Sequence, residues 1–452
     1  MRKADIEAIG EVAAEALAAG GTLVSDMHEG IAGRPFRILG PMAAPVRIAH
    51  DGISRAVHAG VRTALRALPQ GGAHALALRA GDEAPPVGTR TPGALVVAAL
   101  NGVYGNHLAT RGNALALDME VRRHGAPVPI TPDGLAAAFP DATSRIVVFV
   151  HGLCETDEAW RLLPLRGAGP DRRPYGERLQ DELGFTPIPL RYNTGLHISE
   201  NGRGLARTLE ALVLGWPAPV SELVLVGHSM GGLVARSACH YGEAGDHRWT
   251  AAVRHVFCLG SPHLGADLEK GANVLAWGLA RLPETRGLAR VLNARSVGIK
   301  DLRRGTLVEG DWAEQDLDAR APGRHTHVPL HDGARHFVVL ATLSRDPAGR
   351  VADLLGDLLV PPRSASGDTG DDDRLAFPPD HVHRLGGMNH LDLLNHPRVY
   401  EQIRRWLVTR PEGPRPDADA HVQKIDDEGH GTIRAGMDGW RRNGCCRSSA
   451  ER

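Results

Sequence analysis

Leu223–Ala238 reads LVLVGHSMGGLVARSA. Four aliphatic residues run into Gly227-His228-Ser229-Met230-Gly231-Gly232, and an apolar periodic stretch follows. That order predicts a buried strand, a sharp turn and a helix. So tight a turn needs small residues around Ser229, because side chains two positions to either side would collide with neighbouring backbone. The turn also strains the serine backbone and sets its hydroxyl at a helix N-terminus, where unpaired amides carry partial positive charge. The pentapeptide G-x-S-x-G is weak alone. A strand before it and a helix after it make Ser229 a candidate nucleophile.

The flanking sequence repeats the same alternation. RIVVFV (145–150), ELVLVG (222–227), RHVFCLG (254–260) and HFVVLATL (336–343) are apolar runs suited to strands buried on both faces. FTPIPLRYN (185–193) is a weaker strand because of its prolines, and HVHRLGG (381–387) is a short one. GRGLARTLEALVLGW, GGLVARSACHYG and HPRVYEQIRRWLV lie between or after them with helical character. Alternating strands and helices predict an α/β fold: a mostly parallel sheet with helices on both faces.

A serine hydroxyl needs a base, and the base needs a group that fixes its tautomer. In this layout the order is Ser, acid, His, each after a later strand. His390 in GGMNHLDLLNHP follows the last strand and precedes the final helix, so it is the expected base; His396, next to Pro397, is expected to be a helix cap or a surface residue. His381 and His383 fall within the last strand. Asp357 in ADLLGDLLVPP follows the preceding strand and is the expected acid. Asp353 is the alternative, while Asp301 and Asp332 precede that strand and fit less well. The developing negative charge needs two amide donors: that of Met230, after the serine, and that of Leu153, in the His151-Gly152 loop after the first long strand.

In this order VFVHGL, GHSMGG, GSPHLG, GDLLVP and the Asn389-His390 pair resemble the α/β-hydrolase fold. In particular they resemble the lipase and esterase branch that includes triacylglycerol lipases and GPI inositol-deacylase-like hydrolases. The resemblance covers roughly residues 140–410. It implies the roles already assigned: Ser229 nucleophile, Asp357 acid, His390 base, and oxyanion amides at Leu153 and Met230. GDLLVP departs from the more usual Gly-Asp-Gly. No cofactor is implied.

Around this core, residues 1–140 read as a helical N-terminal region and 141–410 as the catalytic domain. Residues 262–335 are an insertion suited to a cap, and 411–452 a disordered tail rich in Pro, Gly, Asp and Arg. The opening MRKADIEAIGEVAAEALAAGG lacks an uninterrupted apolar segment, so an amphipathic helix ending at Gly20-Gly21 is expected rather than a signal peptide. The helical region carries no visible chemistry. A packing appendage is the plain reading and a peripheral membrane or partner contact the other. A net charge of -1 gives no field to attract nucleic acid.

Five cysteines match no metal or disulfide pattern, which predicts free thiols and a cytoplasmic chain. Cys154 reads as a core residue and His263 as either a pocket or a structural group. His325, His327, His331 and His336 form no helical His-x-x-x-His pair and have no cysteine pair beside them, so no metal is expected. Tyr192 and Asn193 follow a strand's end and suit either a site rim or a turn. Val274, Leu275, Trp277 and Leu279 in the insertion suit an apolar acyl chain, so the expected substrate is a small-molecule or lipid ester. A thioesterase or amidase would use the same residues, and a non-catalytic scaffold is the remaining alternative. Oligomeric state is not legible.

Overall fold

A computed structural model of the protein describes residues 1–39, 44–78, 80, 93–161, 173–266, 294–317, 326–347, 349, 357, 360–367, 375 and 377–409. Met1–Val408 form one compact unit. Several expectations fall outside the described residues: Asp353, His325, Cys445 and Cys446, the apolar segment with Val274, Leu275, Trp277 and Leu279, and the tail at 411–452.

The chain opens with helices α1 (Lys3–Leu39), α2 (Ala44–Ala77) and α3 (Gly93–Thr110). A hairpin of β1 (Glu120–Arg123) and β2 (Ala126–Val128) follows, then α4 (Pro132–Ala138). Next come β3 (Arg145–Val150), α5 (Tyr175–Leu183), β4 (Thr186–Arg191), α6 (Ile198–Gly215), β5 (Glu222–His228), α7 (Met230–Ala244) and β6 (Val253–Leu259). β7 (Arg335–Thr342), β8 (Val382–Gly386) and α8 (Pro397–Val408) complete the unit.

The eight strands form one sheet in the order β2-β1-β4-β3-β5-β6-β7-β8. β3 to β8 run parallel, and the β1–β2 hairpin joins β4 antiparallel. The continuous apolar strands follow from cover on both sides. Ile146, Val148 and Val150 of β3 share a core with α6 and α7, while Val147 and Phe149 pack with α5 and α8. β5 divides in the same way, Leu223 and Leu225 to one face and Val224 and Val226 to the other. A parallel sheet also collects the loops that follow its strands at one edge, so residues distant in sequence gather there.

The N-terminal region departs from the sequence reading in two respects. α1 does not stop at Gly20-Gly21 but continues to Leu39. Gly21 faces α2, and a Cβ there would lie 3.0 Å from Leu65 Cδ1, so this glycine is a helix contact and not a stop. The region before residue 140 is also not helical throughout. β1 and β2 belong to the sheet, joined by a turn in which His124 (φ 49°) and Gly125 (φ 78°) are both left-handed. α3 packs on the rest of the unit, where the Gly105 carbonyl accepts from Asn193 at 3.0 Å and the Val103 carbonyl from the Ser296 amide at 2.8 Å. Among the described residues no helix is long and apolar enough to cross a membrane.

Candidate functional site

Ser229 sits between the end of β5 and the start of α7, at φ 52° and ψ −121°. This left-handed backbone is costly for a residue with a side chain. Two features hold it. The Ser229 amide donates to the Leu259 carbonyl at the end of β6 over 2.8 Å. The flanking glycines leave no room for alternatives: a Cβ on Gly231 would run into the Val150 carbonyl oxygen, and one on Gly227 into the Gly231-Gly232 backbone. The steric requirement read from the sequence is therefore met by identifiable atoms. Met230 is the first residue of α7, so its amide has no acceptor within the helix.

His390 lies after β8, in a turn capped by Asn389 and Asp392. Its Nδ1 is 2.6 Å from Asp357 Oδ2, and both side chains are buried. Asp357 Oδ1 accepts the Val360 amide at 2.8 Å, which aims the carboxylate inward. With Nδ1 engaged, Nε2 is the nitrogen left for a hydroxyl. It is buried and has no hydrogen-bond partner among the described residues. The ring stands beside His228, Ser229's neighbour, at a centroid separation of 4.7 Å. A Cβ on Gly260 would lie 3.0 Å from His390 Cε1, and Gly260 follows the residue that accepts the Ser229 amide.

The loop after β3 carries His151, Gly152, Leu153, Cys154 and Glu155. Leu153 is partly buried, and no acceptor for its amide lies among the described residues. β3 and β5 are neighbours with Val150 opposite Gly227, so this loop and the Ser229 turn leave the sheet side by side. Of the residues singled out from sequence, the structure thus brings Ser229, His390, Asp357, Leu153 and Met230 to one edge.

The secondary candidates take structural places. Cys154 (φ 61°) packs against α3 at Ala99 and Gly102, and burial pushes its thiol up. Cys239 and Cys258 are free and buried, and burial pushes both to about 12. His263 is buried with Nδ1 3.2 Å from Arg236 Nη1; burial, then the guanidinium, hold its pKa well below the ordinary value. His396 caps α8, its Nδ1 accepting the Arg398 amide at 3.1 Å. Tyr192 and Asn193 are buried braces and not rim residues: the Tyr192 hydroxyl donates to the His151 carbonyl at 2.7 Å, and Asn193 reaches α3.

Two residues of consequence escaped the sequence reading. Fully buried His228 pairs with partly buried Glu155, with Oε1 2.9 Å from Nδ1. Glu155 Oε2 also accepts the Gly152 amide at 2.7 Å, and His228 Nε2 lies 3.1 Å from the His390 carbonyl oxygen. Glu155 and His228 are 73 positions apart, and no local pattern links them. The only available signal was an acidic residue three places after Gly152.

A family model described as the PGAP1-like alpha/beta domain matches residues 210–328. No curated protein matches the chain. Among solved structures, the mature form of the Bacillus licheniformis lipase BlEst2 is 18% identical with a TM-score of 0.38, covering 64% of this chain and 96% of its own. EstA from Clostridium botulinum is 13% identical with a TM-score of 0.33, covering 59% and 87%. A Pyrococcus furiosus esterase is 12% identical with a TM-score of 0.32, covering 58% and 82%. The family match falls on the strand–Ser229–helix turn and the strand after it. Together with the eight-stranded, mostly parallel sheet, it gives this chain the α/β-hydrolase fold.

Proposed function

We propose that the protein is a serine hydrolase of carboxylic esters. Ser229 is the nucleophile, His390 its base and Asp357 the acid that holds the imidazole tautomer. The observation that carries this reading is the buried 2.6 Å contact of His390 Nδ1 with Asp357, next to a serine held at φ 52°. His390 takes the hydroxyl proton through Nε2 as Ser229 Oγ attacks the ester carbonyl. The oxyanion rests on the amides of Leu153 and Met230. The imidazolium then protonates the leaving alcohol. Water, deprotonated by His390, releases the acid from the acyl-enzyme. Asp357 holds the imidazole and stabilises its charged form.

A lipid-like ester is the proposed substrate, supported by the apolar residues Val274, Leu275, Trp277 and Leu279 that the sequence carries in the insertion between β6 and β7. The unpaired thiols of Cys154, Cys239 and Cys258 support a cytoplasmic setting. The test is covalent labelling by a fluorophosphonate, which is expected on Ser229 and lost in Ser229→Ala. A folded wild-type protein that never labels would refute the reading. Nitrophenyl esters of increasing acyl length test the substrate class, and turnover of only the shortest would exclude the lipid ester.

A further inference from the structure

His228 is completely buried, one residue before Ser229. Both ring nitrogens face oxygens: Nδ1 the Glu155 carboxylate, Nε2 the main-chain carbonyl of His390. A carbonyl and a carboxylate have no proton to give, so both nitrogens must donate and the ring carries two protons. Glu155 Oε2 also accepts the Gly152 amide, and donors at both carboxyl oxygens favour the ionised form. The result is an imidazolium–carboxylate bridge with two outer contacts, to the Gly152 amide and the His390 carbonyl, and it links three separate loops because His228 itself belongs to the Ser229 turn.

We propose that the His228–Glu155 pair is the positioning device of the site, locking the Leu153 loop, the Ser229 turn and the His390 loop into one working geometry. Glu155 fixes the His151–Gly152 peptide, the one preceding the peptide that carries the Leu153 amide. His228 is continuous with the nucleophile and, by donating to the His390 carbonyl, holds the backbone of the base. Neither residue touches the reacting atoms. The catalytic consequence rests on the hydrolase reading above; the charge state of the pair does not.

The surrounding groups act in the same sense. Burial by itself lowers the pKa of His228, but the charge and hydrogen bond of Glu155, the His390 carbonyl and the charge of Asp357 raise it above the ordinary histidine value. Burial raises Glu155, and His228, the Gly152 amide and His151 overcome this and hold it below the ordinary carboxylate value. The His390 ring and the edge of Trp160 complete the surroundings. The contribution of His228 is thus full below its ordinary pKa and lost as pH rises through the raised one. That of Glu155 is full above its ordinary pKa and lost as pH falls through the lowered one. The alkaline limb of the activity profile reports the loss of the His228 proton.

The experiment compares wild type, Glu155→Gln and Glu155→Asp for ester turnover, fluorophosphonate labelling rate and pH profile. Glu155→Gln removes the counter-charge. It is expected to lower kcat and the labelling rate on the order of 10²-fold with little change in KM. It also moves the alkaline limb to lower pH while the acid limb stays, and Glu155→Asp recovers part of the rate. A Glu155→Gln enzyme with wild-type kcat and alkaline limb would overturn the proposal. The imidazole nitrogen shifts of wild-type His228 test it without relying on any variant. Two protonated nitrogens at pH 7.5 are expected, and a neutral ring overturns the bridge. A wild type that shows the charged ring yet never labels would sink the hydrolase reading and leave the bridge standing.

Discussion

His390 and Asp357 meet at 2.6 Å in a buried contact, although one follows β8 and the other lies in the connection after β7. In the proposed mechanism the carboxylate accepts the Nδ1 proton of His390. Asp357→Asn offers an amide in its place, which leaves the imidazole in the wrong tautomer for deprotonating a hydroxyl. Turnover is expected to fall roughly 10³–10⁴-fold with little change in melting temperature, as read by ester kinetics beside a thermal melt. Activity within tenfold of wild type would remove Asp357 from the mechanism.

Gly231 allows the turn before α7 to press against β3. Gly231→Ala drives a methyl into the Val150 carbonyl oxygen, a backbone atom that cannot turn aside. A loss of ~3 kcal/mol of stability is expected, at the upper end for overpacking, with loss of fluorophosphonate labelling. Denaturant unfolding checks the first and active-site labelling the second.

The segment 294–317 docks on the start of α6 through Asp301. Its carboxylate contacts His197 Nδ1 at 3.0 Å and accepts the Ile198 amide at 2.9 Å, while Trp312 stacks flat on His197 at 3.7 Å. Asp301→Ala leaves a buried amide and a buried ring nitrogen unpaired. The expected cost is ~2–3 kcal/mol, and limited proteolysis should cut faster between 294 and 317.

Buried neutral histidines make the fold sensitive to acid. Burial, then the charge of Arg236, hold His336 down to about 3, and His263 also lies well below its ordinary value. The neutral form fits the geometry, since His336 Nε2 donates to the His331 carbonyl at 3.2 Å and Nδ1 is unpartnered among the described residues. A depressed histidine pKa means that the unfolded chain binds more protons between the two values, so stability is full above about 6.5 and falls as pH drops toward 3. Melting temperature should decline across that window, and His336→Gln should make the decline shallower. An unchanged slope would show that His336 is not the group responsible.

Legibility in the sequence followed the range of the interaction. The turn at Ser229 was readable because its constraints act within a few residues: apolar strand, glycines, helix. β3 and β5 were readable because cover on both faces makes their whole length apolar. His390 and Asp357 were readable through chain order, since loops after successive parallel strands gather at one edge. The β1–β2 hairpin was not, because its strands are 4 and 3 residues long and place Arg122 in a buried position, so no alternation survives. Gly20-Gly21 misled for a related reason. A glycine that ends a helix and one that admits a neighbouring helix are the same letter, and only the presence of Leu65 across the gap distinguishes them.

By itself, then, the sequence determined the parallel part of the sheet and the strained turn at Ser229, since periodicity, glycine sterics and strand order are local or additive along the chain. Tertiary structure alone decided that Glu155 meets His228, that Asn193 braces α3, and that Asp301 rather than solvent receives His197. Such pairings depend on where the backbone carries each side chain in three dimensions. A buried charge can select its partner only once folding has excluded water from both.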